Sequence, residues 1–125
     1  FQAFVWAGLF RIFLFDHVTW SVNSICHTFG ERPYETGDES RNVWVLAVPT
    51  MGEAWHNNHH AFPGSAVHGI DRGQVDISAA VIRALAKVGL ISDVKVPTPE
   101  RRERRLAPAP APAGERAPQG THTIP

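Results

Sequence analysis

Cysteine, methionine and tyrosine are nearly absent from this chain, with one of each. A single thiol, Cys26, excludes an intramolecular disulfide, and a thiolate-built zinc site would need more of them. Cys26 therefore reads as a small buried hydrophobe. Excess charge is missing as well. Twelve Lys and Arg balance twelve Asp and Glu, so overall charge gives no sign of a nucleic-acid partner. The start of the chain lacks a methionine, a basic stretch and a small-residue cleavage site, and so does not look like a signal peptide. It opens at Phe1 inside an apolar run, which reads as an internal cut and predicts a C-terminal piece of a longer protein. With 125 residues, the chain is long enough for one domain and too short for two.

Histidine, by contrast, is concentrated. His56-Asn57-Asn58-His59-His60 packs three imidazoles into five residues, between Met51-Gly52-Glu53-Ala54-Trp55 and Ala61-Phe62-Pro63. On a helix, positions i, i+3 and i+4 share one face with Cβ atoms roughly 5–6 Å apart. Neutral imidazoles so placed can converge on one ion, and imidazole suits iron, zinc and copper. The plainer alternative is a packed or surface histidine cluster, but solvated His-rich tracts are usually repetitive and lie in loops or tails.

Residues 1–24 are the most apolar stretch. As a helix they would extend about 35 Å, enough to cross a bilayer core. Arg11, Asp16 and His17 interrupt the run and should face protein or water rather than lipid. A buried helix of a soluble protein is the competing reading. Residues 30–42 and 61–74 are rich in Gly, Pro, Asp and Ser and predict loops. Pro49 and Gly52 should break the chain before a ligand helix that starts near Glu53. Residues 75–88 predict an amphipathic helix stopped by Gly89, with Ile77, Val81, Leu85 and Val88 on one face, packed on a core or lying on a membrane surface. From Pro97 onward lie seven of the ten prolines and an Ala-Pro repeat at 107–112. Such composition predicts a disordered tail. Arg101, Arg102, Arg104 and Arg105 within it read as a solvated run, or as a basic patch drawn to anionic lipid on the cytoplasmic side. His122 falls in this tail and is not a ligand candidate.

A second cluster sits upstream. Asn23 and His27 are i and i+4 at the end of the long apolar helix, so both can face one site. Taken together, Asn23-Ser24-Ile25-Cys26-His27-Thr28-Phe29-Gly30, Arg32-Pro33-Tyr34 and Gly52-Glu53-Ala54-Trp55-His56-Asn57-Asn58-His59-His60-Ala61-Phe62-Pro63 resemble the C-terminal third of a membrane fatty acid desaturase. The likeness is closest to the acyl-CoA (stearoyl-CoA) delta-9 type in its actinobacterial form and covers roughly residues 4 to 99. It implies an all-α fold, with residues 1–24 as a transmembrane helix, 25–96 as part of a cytosolic cap and 97–125 as the tail. It implies a site holding two iron ions. His27 would be an isolated ligand, and His56, His59 and His60 the third histidine box. Asn23 would meet iron through water, and Thr19 and Trp20 would lie near the bend of the acyl tunnel. Arg11 matches a basic residue without an assignable role. Glu53, three residues before His56, would be a carboxylate accepting an imidazole N–H, or simply a charge at a helix N-terminus. The implied partners are a fatty acyl-CoA, O2, an electron donor (ferredoxin, rubredoxin or a haem carrier with its reductase) and a lipid membrane, with the boxes and tail on the cytoplasmic side.

Two departures stand out. No HxxxxH and no second HxxHH occurs in the chain, so it holds fewer than half of the family's histidine ligands and should be inactive alone. Asp71-Arg72-Gly73 also occupies a place where relatives usually carry paired tryptophans, which weakens an interfacial anchor. A non-catalytic membrane remnant or partial metal-binding piece, and a portion of a related di-iron membrane hydroxylase, are the competing functions. The reading frame upstream of Phe1 should encode HxxxxH and HxxHH. Sequencing that finds neither in frame removes the intact-enzyme reading.

Overall fold

The structure, a computed structural model, describes residues 1–108. Among these residues the regular elements are helical, joined by long loops and three isolated β-bridges. A π-helical segment, Phe4–Phe10, runs directly into helix α1, Arg11–Cys26. Helix α2 is His56–Ala61, α3 is Ile77–Lys87 and α4 is Pro99–Glu103, with a short 3-10 turn at Trp44–Leu46.

Among the described residues, no helix is long and apolar enough to cross a membrane. The run expected to span one divides at Arg11, and α1 is thinned by Asp16, His17, Thr19, Ser21, Asn23 and Ser24. Its large side chains are nevertheless uncovered. Trp6, Phe13, Leu14 and Phe15 are each more than half exposed, an apolar surface larger than isolated surface residues would make.

The ligand helix begins at His56 rather than near Glu53, because the chain from Ala47 to Ala54 is still turning. Met51 and Gly52 both take positive φ, 58° and 111°. Gly52 is required there. A Cβ at this position would lie 2.4 Å from Asp76 Oδ1. Gly30 (φ 111°) has the same role beyond α1, where a Cβ would come within 2.3 Å of the Asn42 carbonyl. That close approach lets Glu31 pair with Asn42, and Asn42 in turn pairs with Trp55.

Two small apolar clusters hold the folded part. Val22, Cys26 and Ala54 lock the end of α1 to the chain before α2, backed by Val43 and Leu46. Tyr34, Ala61 and Phe62 join the 30–42 loop to the end of α2, backed by Ile70. The predicted helix at 75–88 is present as α3 and is followed by Gly89 at φ 75°. Its expected apolar face is not packed on a core: Val81 and Val88 are 51% and 69% exposed, and Ala79 alone is buried.

The tail expected to be disordered from Pro97 starts with ordered structure. Thr98 caps α4 through its hydroxyl, Leu106 bridges to Tyr34, and Ala107 N–H donates to the Pro33 carbonyl at 2.8 Å. Arg102 pairs with Asp71 and donates to the Tyr34 hydroxyl at 3.3 Å, and Arg101 sits over the Phe62 ring. Composition missed this because the segment is held by side chains 31 and 68 residues away in sequence. His122 and the rest of the Ala-Pro repeat lie outside the described residues.

Asp76 ties α3 to the site. Its Oδ1 accepts from Ala79 N–H at 2.8 Å as the N-cap, and its Oδ2 accepts from His68 and Gly69 N–H at 2.8 and 2.9 Å. Burial works against its charge, but these three backbone donors outweigh it and hold the carboxyl below its ordinary range. The stabilisation is thus present above the unfolded pKa of about 3.9 and lost as pH falls through the lower folded value. Asp76→Ala should cost roughly 2–3 kcal/mol at neutral pH. Urea melts of both proteins should converge in acid. A gap that stays at its neutral-pH size once the pH is below the folded value would sink this account.

Candidate metal centre

Helix α2 has six residues, too few to be stable unaided, and its N-cap Trp55 offers no side-chain bond. The cap comes from elsewhere. Asn42 Oδ1 accepts from the N–H groups of Asn57 (3.0 Å) and Asn58 (3.2 Å), the second and third residues of the helix. Asn42 Nδ2 donates to Asn58 Oδ1 at 2.7 Å. Asn57 exchanges bonds with the Tyr34 backbone, accepting from N–H at 2.9 Å and donating to the carbonyl at 3.0 Å, and donates to the Ser40 carbonyl at 3.1 Å. Asn58 donates to the His68 carbonyl and to Gln74 Oε1. Both asparagines are fully buried. The two middle residues of HNNHH therefore clamp one face of α2 into the surrounding loops. Helical geometry then turns His56, His59 and His60 to the opposite face.

His27, at the C-terminal cap of α1, meets that face. Its Nε2 lies 3.1 Å from His56 Nε2, and its ring centroid is 5.3 Å from that of His60. His27, His56 and His60 each offer a nitrogen, all within 4.8 Å of one another. Two nitrogens bound at about 2.0–2.1 Å and roughly at right angles on one ion lie about 3 Å apart, so the 3.1 Å between His27 and His56 fits a shared metal. His60 Nδ1 contacts Asp38 Oδ2 at 2.5 Å, leaving its Nε2 for the cluster, as expected of a carboxylate that orients a ligating imidazole. His56 Nδ1 is buried with no hydrogen-bond partner among the described residues.

Electrostatics favour the neutral form of His56 and His59. Burial, reinforced by the neighbouring charges of His60, His27 and His59, brings the His56 pKa down to about 4. Burial and His68 lower that of His59, with Glu53 opposing. Neutral imidazole is the form that binds metal. Asp38 stays ionised: burial opposes its charge, but hydrogen bonds from Ser40 and His60 outweigh it.

Against the cluster lies a cleft of about 500 Å³. Phe15, Val18 and Val22 of α1 and Pro49 and Met51 opposite give it apolar walls, and Thr19, Asn23, Glu53, His56 and His59 also line it.

No protein-family model matches the chain. Individual proteins do. Over 107 residues it is 47% identical to the acyl-CoA C20 delta-5 desaturase of Anemone leveillei, covering 86% of this chain and 34% of that protein. Over 91 residues it is 53% identical to delta-9 acyl-lipid desaturase 2 of Arabidopsis thaliana, covering 73% and 29%. Over 107 residues it is 43% identical to the icosanoyl-CoA 5-desaturase of Limnanthes douglasii, covering 86% and 30%. The chain is a homologue of fatty acid desaturases. It spans about a third of the length of the curated relatives it matches. Their names range over positions 5, 7 and 9, so the similarity carries the desaturase family and not one bond position.

The structure sorts the residues singled out in this desaturase homologue. His27, His56 and His60 converge; His59 is adjacent, with its ring centroid 5.5 Å from that of His60. Asn23 and Thr19 line the cleft, although the Asn23 amide donates back to the Thr19 carbonyl. Trp20, one residue further round α1, is 62% exposed beside His17 and does not line the cleft. Arg11 and Asp16 line a separate cleft that includes none of the candidate ligands. Glu53 is in the turn before α2, and its carboxylate faces His68 Nδ1 at 3.7 Å rather than a histidine of the box. Asp38 and His68 escaped sequence reasoning, because each reaches its partner from a loop, 22 and 9 residues distant. An acidic residue in the loop between the two clusters was the only available signal for Asp38.

Asn42→Ala removes the helix cap and strands an oxygen of buried Asn58. It should destabilise the fold by roughly 2–4 kcal/mol, read as a lowered denaturation midpoint. A change of only a few tenths would show that the amide network does not hold α2.

Proposed function

We propose that this chain forms one wall of the di-iron centre of a membrane-bound fatty acyl desaturase, and that it acts as the C-terminal part of that enzyme. The convergence of His27 from α1 with His56 and His60 from α2 carries the reading. His27, His56, His59 and His60 would hold iron through ring nitrogens, and Asn23 would do so through a water. The chemistry of the donors suits it, since neutral imidazoles suit iron and the site is half-buried. Iron held there supplies, from O2 and two electrons, the oxidising power that an unactivated C–H bond demands. Two hydrogens leave adjacent methylenes as a cis double bond forms. With two electrons from a donor protein and two protons from solvent, they convert O2 to two waters.

The chain's own residues have definable parts in this. Phe15, Val18, Val22 and Met51 offer an apolar wall for an alkyl segment and keep water from it. Thr19 stands in that wall as a tunnel residue. Asp38 orients His60. The substrate class is a saturated fatty acyl chain, as its CoA thioester or in a lipid. The electron donor would be a ferredoxin, a rubredoxin or a haem carrier. The exposed apolar residues of 1–20 would lie against bilayer and against further helices of the same enzyme. Val81 and Val88 of α3 would rest at the membrane surface, with the histidines on the cytoplasmic side.

The chain alone should form no double bond. Joined to an N-terminal desaturase half carrying the other boxes, it should bind two irons per polypeptide and remove two hydrogens from a fatty acyl chain. His59→Ala in that protein should abolish the product while leaving membrane insertion intact. Iron analysis and mass spectrometry of the lipids test this. An added hydroxyl would favour a related hydroxylase, and no iron in either form would favour a non-catalytic remnant.

A further inference from the structure

We propose that His68 is a positioning residue for His59, and that it holds that imidazole in the tautomer whose Nε2 is free to bind metal. The proposal rests on the reading of His59 as an iron ligand. His59 Nδ1 and His68 Nε2 are 3.1 Å apart, and their ring centroids are 4.5 Å apart. Beyond His68, its Nδ1 faces Glu53 Oε1 at 3.7 Å, a charge contact rather than a hydrogen bond.

With both rings neutral, one arrangement of protons satisfies all three groups. The Glu53 carboxylate only accepts, so it favours a proton on His68 Nδ1. His68 Nε2 is then an acceptor, and the hydrogen bond requires His59 to donate from Nδ1. His59 Nε2 is left with its lone pair and no proton, which is the state a metal needs. The carboxylate end of the relay thus sets the tautomer of a ring it does not touch. His60 reaches the same state by direct contact with Asp38. Two of the three histidines of the box are each backed by a carboxylate, one directly and one through a second imidazole.

The backbone of His68 is held independently of its ring. Its carbonyl accepts from Asn58 Nδ2 at 2.7 Å, and its N–H donates to Asp76 Oδ2 at 2.8 Å. A change of side chain therefore leaves the loop in place. His68→Leu removes the acceptor. His68→Gln restores one, because a glutamine oxygen can occupy the place of Nε2.

The test uses the full chain in detergent micelles, with 15N-labelled histidine and ring-nitrogen NMR at a pH above the ordinary histidine range. Circular dichroism confirms helix content in each variant. Without metal, His59 should carry its proton on Nδ1 in the wild type and in His68→Gln, and should shift toward Nε2–H in His68→Leu. Zn2+ added to the wild type should then perturb His59 at Nε2. That response should need roughly 10–100-fold more Zn2+ in His68→Leu. A wild-type His59 protonated on Nε2, or a His68→Leu spectrum with the Nδ1–H form unchanged, overturns the proposal. If the tautomers behave as stated but Zn2+ leaves His59 untouched, the positioning stands and the ligand reading of His59 fails.

Discussion

The buried amide network of Asn42, Asn57 and Asn58 sets the position of α2, and the candidate site follows from it. A six-residue helix cannot hold itself together in water. Here its first turn is capped by a side chain from the loop after α1. Each buried amide has its donors and acceptors met, so the cost of removing these groups from water is offset by well-formed bonds. The apolar clusters flanking the network are small. The polar network, more than an apolar core, decides which way α2 faces.

With α2 held from behind, its other face can carry groups that would not gather unaided. Three imidazoles and His27 share a small volume, and there the surrounding rings oppose protonation of His56. Burial and neighbouring imidazoles favour the neutral form of His56 and His59, and carboxylates placed just behind the cluster orient its rings. Asp38 lies behind His60 and Glu53 lies behind His68. The negative charge stays one shell away from the point where the ring nitrogens converge. A set of imidazole donors is the result, on the edge of an apolar cleft.

Much of this was legible along the chain. The spacing of His56, His59 and His60 is a helical spacing, and the structure puts all three on one face. Asn23 and His27 are one turn apart, and His27 joins the cluster. The helix of residues 77–87 and its glycine stop were also readable, as was the break at Gly52. Other features were not. Asp38 and His68 act across loops, where no periodicity ties a residue to its partner. Helix α2 starts later than the sequence predicts, because Glu53 looks like a first-turn acid whereas the chain there is still reversing through Met51 and Gly52. Arg102 belongs by composition to a solvated run, since nothing local shows that Asp71 and Tyr34 pair with it.

The sequence by itself determined the chemistry available and its local spacing. It supplied neutral imidazole donors at i, i+3 and i+4, a second pair at i and i+4, and a strong likeness to fatty acid desaturases. Those follow from residue identity and the helical repeat, which act over a few residues. Tertiary structure alone decided that the two clusters meet, that two asparagines hold one from behind, and that Glu53 addresses His68. Such pairings depend on how loops of ten or more residues close, and their geometry is set by packing and hydrogen-bond satisfaction rather than by any local rule.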